Sequence, residues 1–141
     1  MPELEELYQS IILDHNKQPR NYGALTDATH QAEGYNKLCG DKVEVYLKIR
    51  DERIEAIRFE SASCAICNAS ASMMTQALVG KTLQEAAQVQ ERVRLLLSED
   101  VEDFASEDDL VALQGVRQFP SRINCALLPW QTLRDAYEPS G

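Results

Sequence analysis

Four cysteines are the residues of this chain with the most distinctive chemistry: Cys39, Cys64, Cys67 and Cys125. Soft metal ions prefer thiolate ligands, and zinc takes four donors in protein sites. Two sets of donors meet that number. The first set is all four cysteines, with the Cys64-x-x-Cys67 pair as a hook. The second set keeps Cys39, Cys64 and Cys125 and takes Asp41 in place of Cys67. Spacing alone ranks the all-cysteine set slightly higher.

A packing interpretation stands beside each of these ligands. Unpaired cysteines are among the most buried residue types, so Cys67, which follows two apolar residues, is also compatible with a small core residue. Cys125 taken alone is more often a core residue than a ligand, and Asp41 could simply cap a turn. Packing explains Cys39 less well, because this cysteine lies between polar loop residues.

The cysteines fall near the ends of predicted elements. Alternating apolar and polar residues over 43–49 predict a half-buried strand, and Asp51-Glu52 predicts a tight turn. The returning strand of the hairpin follows at residues 54–59. Cys39 then precedes the hairpin, whereas the Cys64-x-x-Cys67 pair lies between the second strand and a helix. We expect these ends to converge at one edge of the sheet.

Helical periodicity, a capping box at Thr82-Leu83-Gln84-Glu85 and a stop at Gly80 define the helices. They are predicted at about residues 3–16, 68–79, 82–97 and 121–137. The acidic stretch 98–109 is predicted to be a solvated loop, with a short helix after it. Together these patterns predict an α+β fold, in which a small antiparallel sheet of about three strands carries helices on one face. Residues 1–141 are expected to form a single domain.

Composition limits the classes of function. Fourteen Lys and Arg against 23 Asp and Glu give a net charge of −9, which opposes binding to nucleic acid. No signal peptide and no apolar stretch of membrane-spanning length are visible, so we expect a cytoplasmic protein that does not enter a membrane. A chain of 141 residues buries enough surface to fold without a metal, so a metal site is free to be functional.

Several segments resemble a known family. Residues 36–41 (NKLCGD), 64–75 (CAICNASASMMT) and 80–82 (GKT) resemble the IscU/NifU N-terminal family of iron-sulfur cluster assembly proteins. Residues 115–130 are similar to its SufU branch. Asn124 stands where IscU-type proteins carry a histidine, and the spacer before the last cysteine is longer than theirs. Both differences favour the SufU type.

The resemblance implies a zinc-dependent acceptor of persulfide sulfur, which a cysteine desulfurase of the SufS type would supply. It implies that the zinc ligands are Cys39, Asp41, Cys64 and Cys125. It also implies that Cys39 receives the sulfur after a desulfurase histidine replaces it on zinc, and that Arg122 lies near the site. Cys67 stands where the family commonly has serine or another small residue. The resemblance therefore reverses the ranking that spacing alone favours.

Two other functions use the same residues. The first is a scaffold on which a [2Fe-2S] cluster is assembled, and Asn124 counts against it. The second is a structural zinc module, which a carboxylate ligand argues against. The expected partners are the desulfurase and downstream iron-sulfur assembly proteins. Such a sulfurtransferase-like acceptor is only loosely an enzyme, because it needs both a donor and a recipient. Trp130 is predicted to pack within the last helix rather than to meet the desulfurase.

Overall fold

A three-stranded antiparallel sheet in the order β1-β2-β3 is the base of the fold in this computed structural model. Its strands are β1 (His30–Asn36), β2 (Asp41–Arg50) and β3 (Arg53–Ala62). The structure describes residues 2–37, 40–98 and 109–137. The sheet confirms the predicted number of strands.

The β2–β3 hairpin follows from the alternation in its first strand. Val43, Val45 and Leu47 are fully buried on one face of β2. Asp51 and Glu52 have φ values of 54° and 61°, the left-handed pair that a two-residue hairpin turn needs. The predicted turn is therefore confirmed at these two residues.

Strand β1 has no apolar alternation from which it could be located in the sequence. Its inward positions include the small residues Ala32 and Gly34, and its outward positions are exposed. The small residues are there because the last helix of the chain packs directly onto this strand. Close packing thus replaces the large apolar side chains that usually mark a half-buried strand.

The helices agree closely with the predicted ones. They are α1 (Pro2–Lys17), α2 (Ala65–Leu78), α3 (Leu83–Ser98) and α4 (Pro120–Tyr137), and a 3-10 helix spans Asp109–Gln118. One position is corrected: Cys67 lies within the first turn of α2 rather than between strand and helix, because the helix begins three residues earlier than its periodicity indicates. The acidic stretch falls mostly outside the described residues, and the short helix predicted after it is the 3-10 helix.

The capping box at the start of α3 is confirmed. The Glu85 N–H donates to Thr82 Oγ1 at 3.1 Å, and the Thr82 N–H donates to Glu85 Oε1 at 2.9 Å. The bond from the Thr82 N–H lowers the pKa of Glu85, because it stabilises the carboxylate. Gly80, with φ +83°, ends α2 just before this cap.

The core lies between the sheet and the helices on its inner face. Helix α4 packs on β1 and β2, while α2 packs on β3 and is itself covered by α1 and α4. Trp130 is only 3% exposed, which confirms the predicted packing in the last helix and removes it as a docking surface. Among the described residues, no helix is both long and apolar enough to cross a membrane.

The contact of β1 with α4 predicts the effect of Gly34→Ala. A Cβ at position 34 would collide with Thr132 Oγ1 and would lie 3.1 Å from Leu128 Cδ1. We expect overpacking to lower the free energy of unfolding by about 1–3 kcal/mol in urea titrations. Gly115→Ala is the matched control, because its Cβ would meet Tyr8 Cβ at an ordinary 3.4 Å. Equal stability losses in the two variants would contradict close packing at Gly34.

Candidate metal centre

Cys64 is held at the start of α2 by its backbone. It is the N-cap residue of the helix, with an extended conformation (φ −71°, ψ 168°), and its side chain makes no capping hydrogen bond. The Cys64 N–H instead donates to Asp41 Oδ1 at 3.0 Å. The half-buried thiol is therefore left available for another partner while its backbone is tied to the first residue of β2.

The Asp41 carboxylate is buried because Asp41 lies on the inward-facing side of β2. It is the first residue of β2, in phase with the buried Val43 and Val45, and is 1% exposed. Oδ1 accepts the Cys64 N–H, but Oδ2 is buried and has no hydrogen-bond partner among the described residues. Burying an unpaired carboxylate oxygen is unfavourable, so this oxygen fits a position where a cation would bind.

Cys125 comes from the second turn of α4 and is fully buried. Helices α2 and α4, which carry Cys64 and Cys125, are joined through one serine. The Ser70 hydroxyl donates to the Ala126 carbonyl at 2.6 Å and accepts the Trp130 Nε1–H at 3.0 Å. These bonds fix the position of Cys125 relative to α2.

The ligand atoms of Asp41, Cys64 and Cys125 all lie within 4.8 Å of one another. Two thiolates on one tetrahedral zinc ion are about 3.8 Å apart, given Zn–S bonds of about 2.3 Å. The cluster therefore needs only small movements to bind one ion. Two sulfurs and one carboxylate suit zinc, which would take a fourth donor as well.

Cys39, the predicted fourth ligand and sulfur acceptor, lies outside the described residues. Its neighbour Gly40 is described: the Gly40 N–H donates to the Asn36 carbonyl at 2.8 Å, and its φ is +71°. Asn36 pairs with Asp41 across the β1–β2 connection. The roles assigned to Cys39 stay predictions.

A profile of the NifU-like N terminal domain matches residues 7–126. The chain belongs to this family. It is 39% identical over 131 residues to the "Zinc-dependent sulfurtransferase SufU" of Bacillus subtilis (strain 168), an alignment that covers 92% of this chain and 88% of the relative. It is 34% identical over 145 aligned positions to the "Iron-sulfur cluster assembly scaffold protein IscU" of Streptococcus pyogenes serotype M1, covering 99% of this chain and 88% of the relative.

A solved structure has the same fold as this NifU-like domain. The putative iron-sulfur cluster assembly scaffold protein for the SUF system from Fervidobacterium islandicum AW-1 superposes with a TM-score of 0.84 at 31% identity. The superposition covers 93% of this chain and 96% of that one. The predicted fold and the SufU/IscU resemblance are both confirmed.

The remaining candidates from the sequence are Cys67 and Arg122. Cys67 is fully buried in the hydrophobic core and is not a member of the Asp41 group. The structure thus places Asp41, and not Cys67, in one group with both Cys64 and Cys125. Arg122 is exposed in the first turn of α4, three residues before Cys125. Its position near the site stays a prediction.

Polar residues that support the centre were missed from the sequence. Asn68 accepts hydrogen bonds from Ser61 Oγ and, at 2.8 Å, from Ser63 Oγ, and it donates to Asn16 Oδ1 at 3.2 Å. These bonds hold the segment just before Cys64 against α1. The available signal was a run of small polar residues inside a helix that is otherwise buried.

The bonds of Ser70 predict the effect of Ser70→Ala. The variant leaves the buried Trp130 indole N–H without its acceptor, so we expect the free energy of unfolding to fall by about 1–3 kcal/mol in urea titrations. Ser10→Ala is the matched control, because Ser10 is an exposed residue within α1 and the change in helix propensity is the same. If both variants were equally stable, Ser70 would not be joining α2 to α4.

Proposed function

We propose that this NifU-like domain acts in iron-sulfur cluster assembly as a zinc-dependent acceptor of persulfide sulfur from a cysteine desulfurase of the SufS type. The observation that carries the proposal is the convergence of Asp41, Cys64 and Cys125, with a buried carboxylate oxygen facing no described partner. The name of the Bacillus subtilis relative, a zinc-dependent sulfurtransferase, supports the choice of metal and reaction.

Cys39 is the fourth donor in this proposal. It precedes Asp41 by two residues, so the covalent chain keeps the two within reach of one ion. When bound, zinc supplies charge that keeps the cysteines as thiolates near neutral pH. Asp41, Cys64 and Cys125 would hold the ion, and Cys39 would be the donor that is released to accept sulfur.

Sulfur transfer is then a thiolate exchange at Cys39. The Cys39 thiolate attacks the terminal sulfur of the persulfide on the desulfurase. A new S–S bond forms at Cys39 while the S–S bond of the donor breaks, and the donor cysteine departs as a thiolate. Asp41 stays in place during this exchange because the Cys64 N–H holds its Oδ1.

A scaffold for a [2Fe-2S] cluster is the second candidate. The Streptococcus pyogenes relative is named an iron-sulfur cluster assembly scaffold, and thiolate sites serve iron as well as zinc. Against it, Asn124 occupies the position beside Cys125 at which IscU-type proteins carry a histidine, and it is exposed. The two functions differ in the metal that the purified protein contains.

Metal content is the first test. We expect colourless protein with one zinc per chain by mass spectrometry of the metals, and a large loss of zinc in Asp41→Ala. Cys67→Ser is the matched control and should keep the wild-type stoichiometry, because Cys67 is not part of the cluster. Circular dichroism checks that each variant is folded. Brown protein with iron and acid-labile sulfide would support the scaffold instead.

Sulfur acceptance is the second test. We expect Cys39→Ala to abolish the stimulation of a SufS-type desulfurase and the gain of one sulfur atom in mass, because the attacking thiolate is gone. Cys67→Ser should retain both. Full stimulation by Cys39→Ala would show that the sulfur is accepted elsewhere.

A further inference from the structure

Cys67 is a buried thiol that the proposed sulfur transfer does not use. It lies three residues after Cys64 at the start of α2, and both residues are thiols rather than disulfides in the structure. Cys64 is half-buried, whereas Cys67 is fully buried. A partly accessible cysteine with a second cysteine three residues away on the same helical turn is the arrangement of a redox-active pair.

We propose that Cys64 and Cys67 form a reversible disulfide when the protein meets a peroxide, and that this disulfide removes Cys64 from the metal centre. The second half of the proposal rests on the proposed function, since it requires the centre to hold a metal. The first half stands on the geometry of α2 alone.

Helix geometry brings the two side chains close. Cys64 is the N-cap and Cys67 is the third residue of the helix, and the side chain of an N-cap residue reaches toward the N–H of that third position. Helical neighbours three residues apart have Cβ atoms about 5–6 Å apart, and a disulfide needs about 3.8 Å. Cys64 has the extended conformation of an N-cap residue, with ψ 168°, so the helical spacing does not apply to it, and its side chain can turn over position 67 while its N–H stays bonded to Asp41.

The chemistry balances with hydrogen peroxide as the oxidant. The Cys64 sulfur attacks one peroxide oxygen, the O–O bond breaks, and Cys64 becomes a sulfenic acid as one water leaves. The Cys67 sulfur then attacks the Cys64 sulfur, the S–O bond breaks, and a second water leaves with the Cys67 proton. Two thiols have lost two electrons and two protons, and the peroxide has become two waters.

Metal release follows from the shared use of Cys64. A disulfide sulfur carries no thiolate charge and is a poor ligand for zinc. Asp41 and Cys125 then remain as the only described ligands of the cluster. Oxidation of Cys64 and Cys67 is therefore expected to release the metal ion from the centre. Reduction of the disulfide should restore metal binding.

Tryptic peptides separate the possible disulfides. Cys64 and Cys67 both fall in residues 59–81, whereas Cys39 falls in 38–42 and Cys125 in 123–134. The zinc-loaded full chain is treated with hydrogen peroxide, and zinc release is followed with a coloured chelator. The masses of the tryptic peptides are then measured by mass spectrometry without reduction. We expect peptide 59–81 to lose the mass of two hydrogen atoms in step with zinc release. Dithiothreitol should reverse both changes.

Cys67→Ser and Cys67→Ala are the matched variants, and two are used in case one of them folds poorly. Both should keep zinc before oxidation, release it several-fold more slowly, and lack the two-hydrogen loss in peptide 59–81. The proposal is overturned if wild-type protein instead yields cross-links of peptide 59–81 to 38–42 or 123–134. It is also overturned if the variants release zinc reversibly at the wild-type rate.

A metal-free arm separates the two proposals. The protein is stripped with a chelator, oxidised and weighed in the same way. If the purified protein never held zinc, the proposed function fails, while the mass of peptide 59–81 still decides whether the disulfide forms. An unchanged peptide mass in both arms would overturn the disulfide itself.

Discussion

The candidate metal centre depends on one arrangement that is unfavourable for folding, a carboxylate buried beside two thiols. Moving an ionised carboxylate out of water costs several kcal/mol unless the fold pairs it. The fold gives Asp41 one backbone N–H, from Cys64, and leaves its second oxygen without a partner among the described residues. A core built only for stability would place an apolar residue at this position. The residues around Asp41 are therefore best understood as a site that a cation completes.

The domain tolerates this cost because its core is built elsewhere. Val43, Val45 and Leu47 line the sheet, and a continuous apolar cluster connects them to α2, α4 and the 3-10 helix. Zinc fingers lack such a core, and metal binding drives their folding. Because this core is continuous, we expect the fold to persist without the ion, so that a ligand could leave the metal without unfolding the protein. That independence is what the proposed sulfur-accepting centre requires and a structural zinc module does not.

The sequence predicts most elements because each carries a local signal. The β2–β3 hairpin has alternation and a two-residue turn, and α3 has its capping box. Strand β1 has no such signal, because contact with α4 selects small residues there instead of large apolar ones. Local patterns are weak wherever tertiary packing sets the residue.

The ligands of the metal centre are also poorly predicted by local sequence patterns. Spacing favours Cys67 as a ligand, because two cysteines separated by two residues are typical of metal sites. Helix α2 begins earlier than predicted, however, so Cys67 lies within the helix and packs in the core. A signal for Asp41 was nonetheless present, since it is in phase with Val43 and Val45 on the buried face of β2. Three-dimensional position favours the set that contains Asp41, and spacing along the sequence does not give that position.

The small polar residues of α2 join this helix to its neighbours. Ser70 bonds to α4, while Ser72 Oγ lies 2.7 Å from His15 Nδ1 of α1, so α2 is tied to a helix on each side. Small side chains let the helices approach closely, and their hydroxyls find partners in the gap that remains. These bonds hold the donors on α2 and α4, and the Cys64 N–H holds Asp41 on β2. Cys39 lies apart from these residues in the sequence, in the β1–β2 connection. A ligand that must leave an ion does so at least cost when the other ligands keep their places without it. The division between three anchored donors and one from a connection is thus the feature on which the proposed sulfur transfer depends.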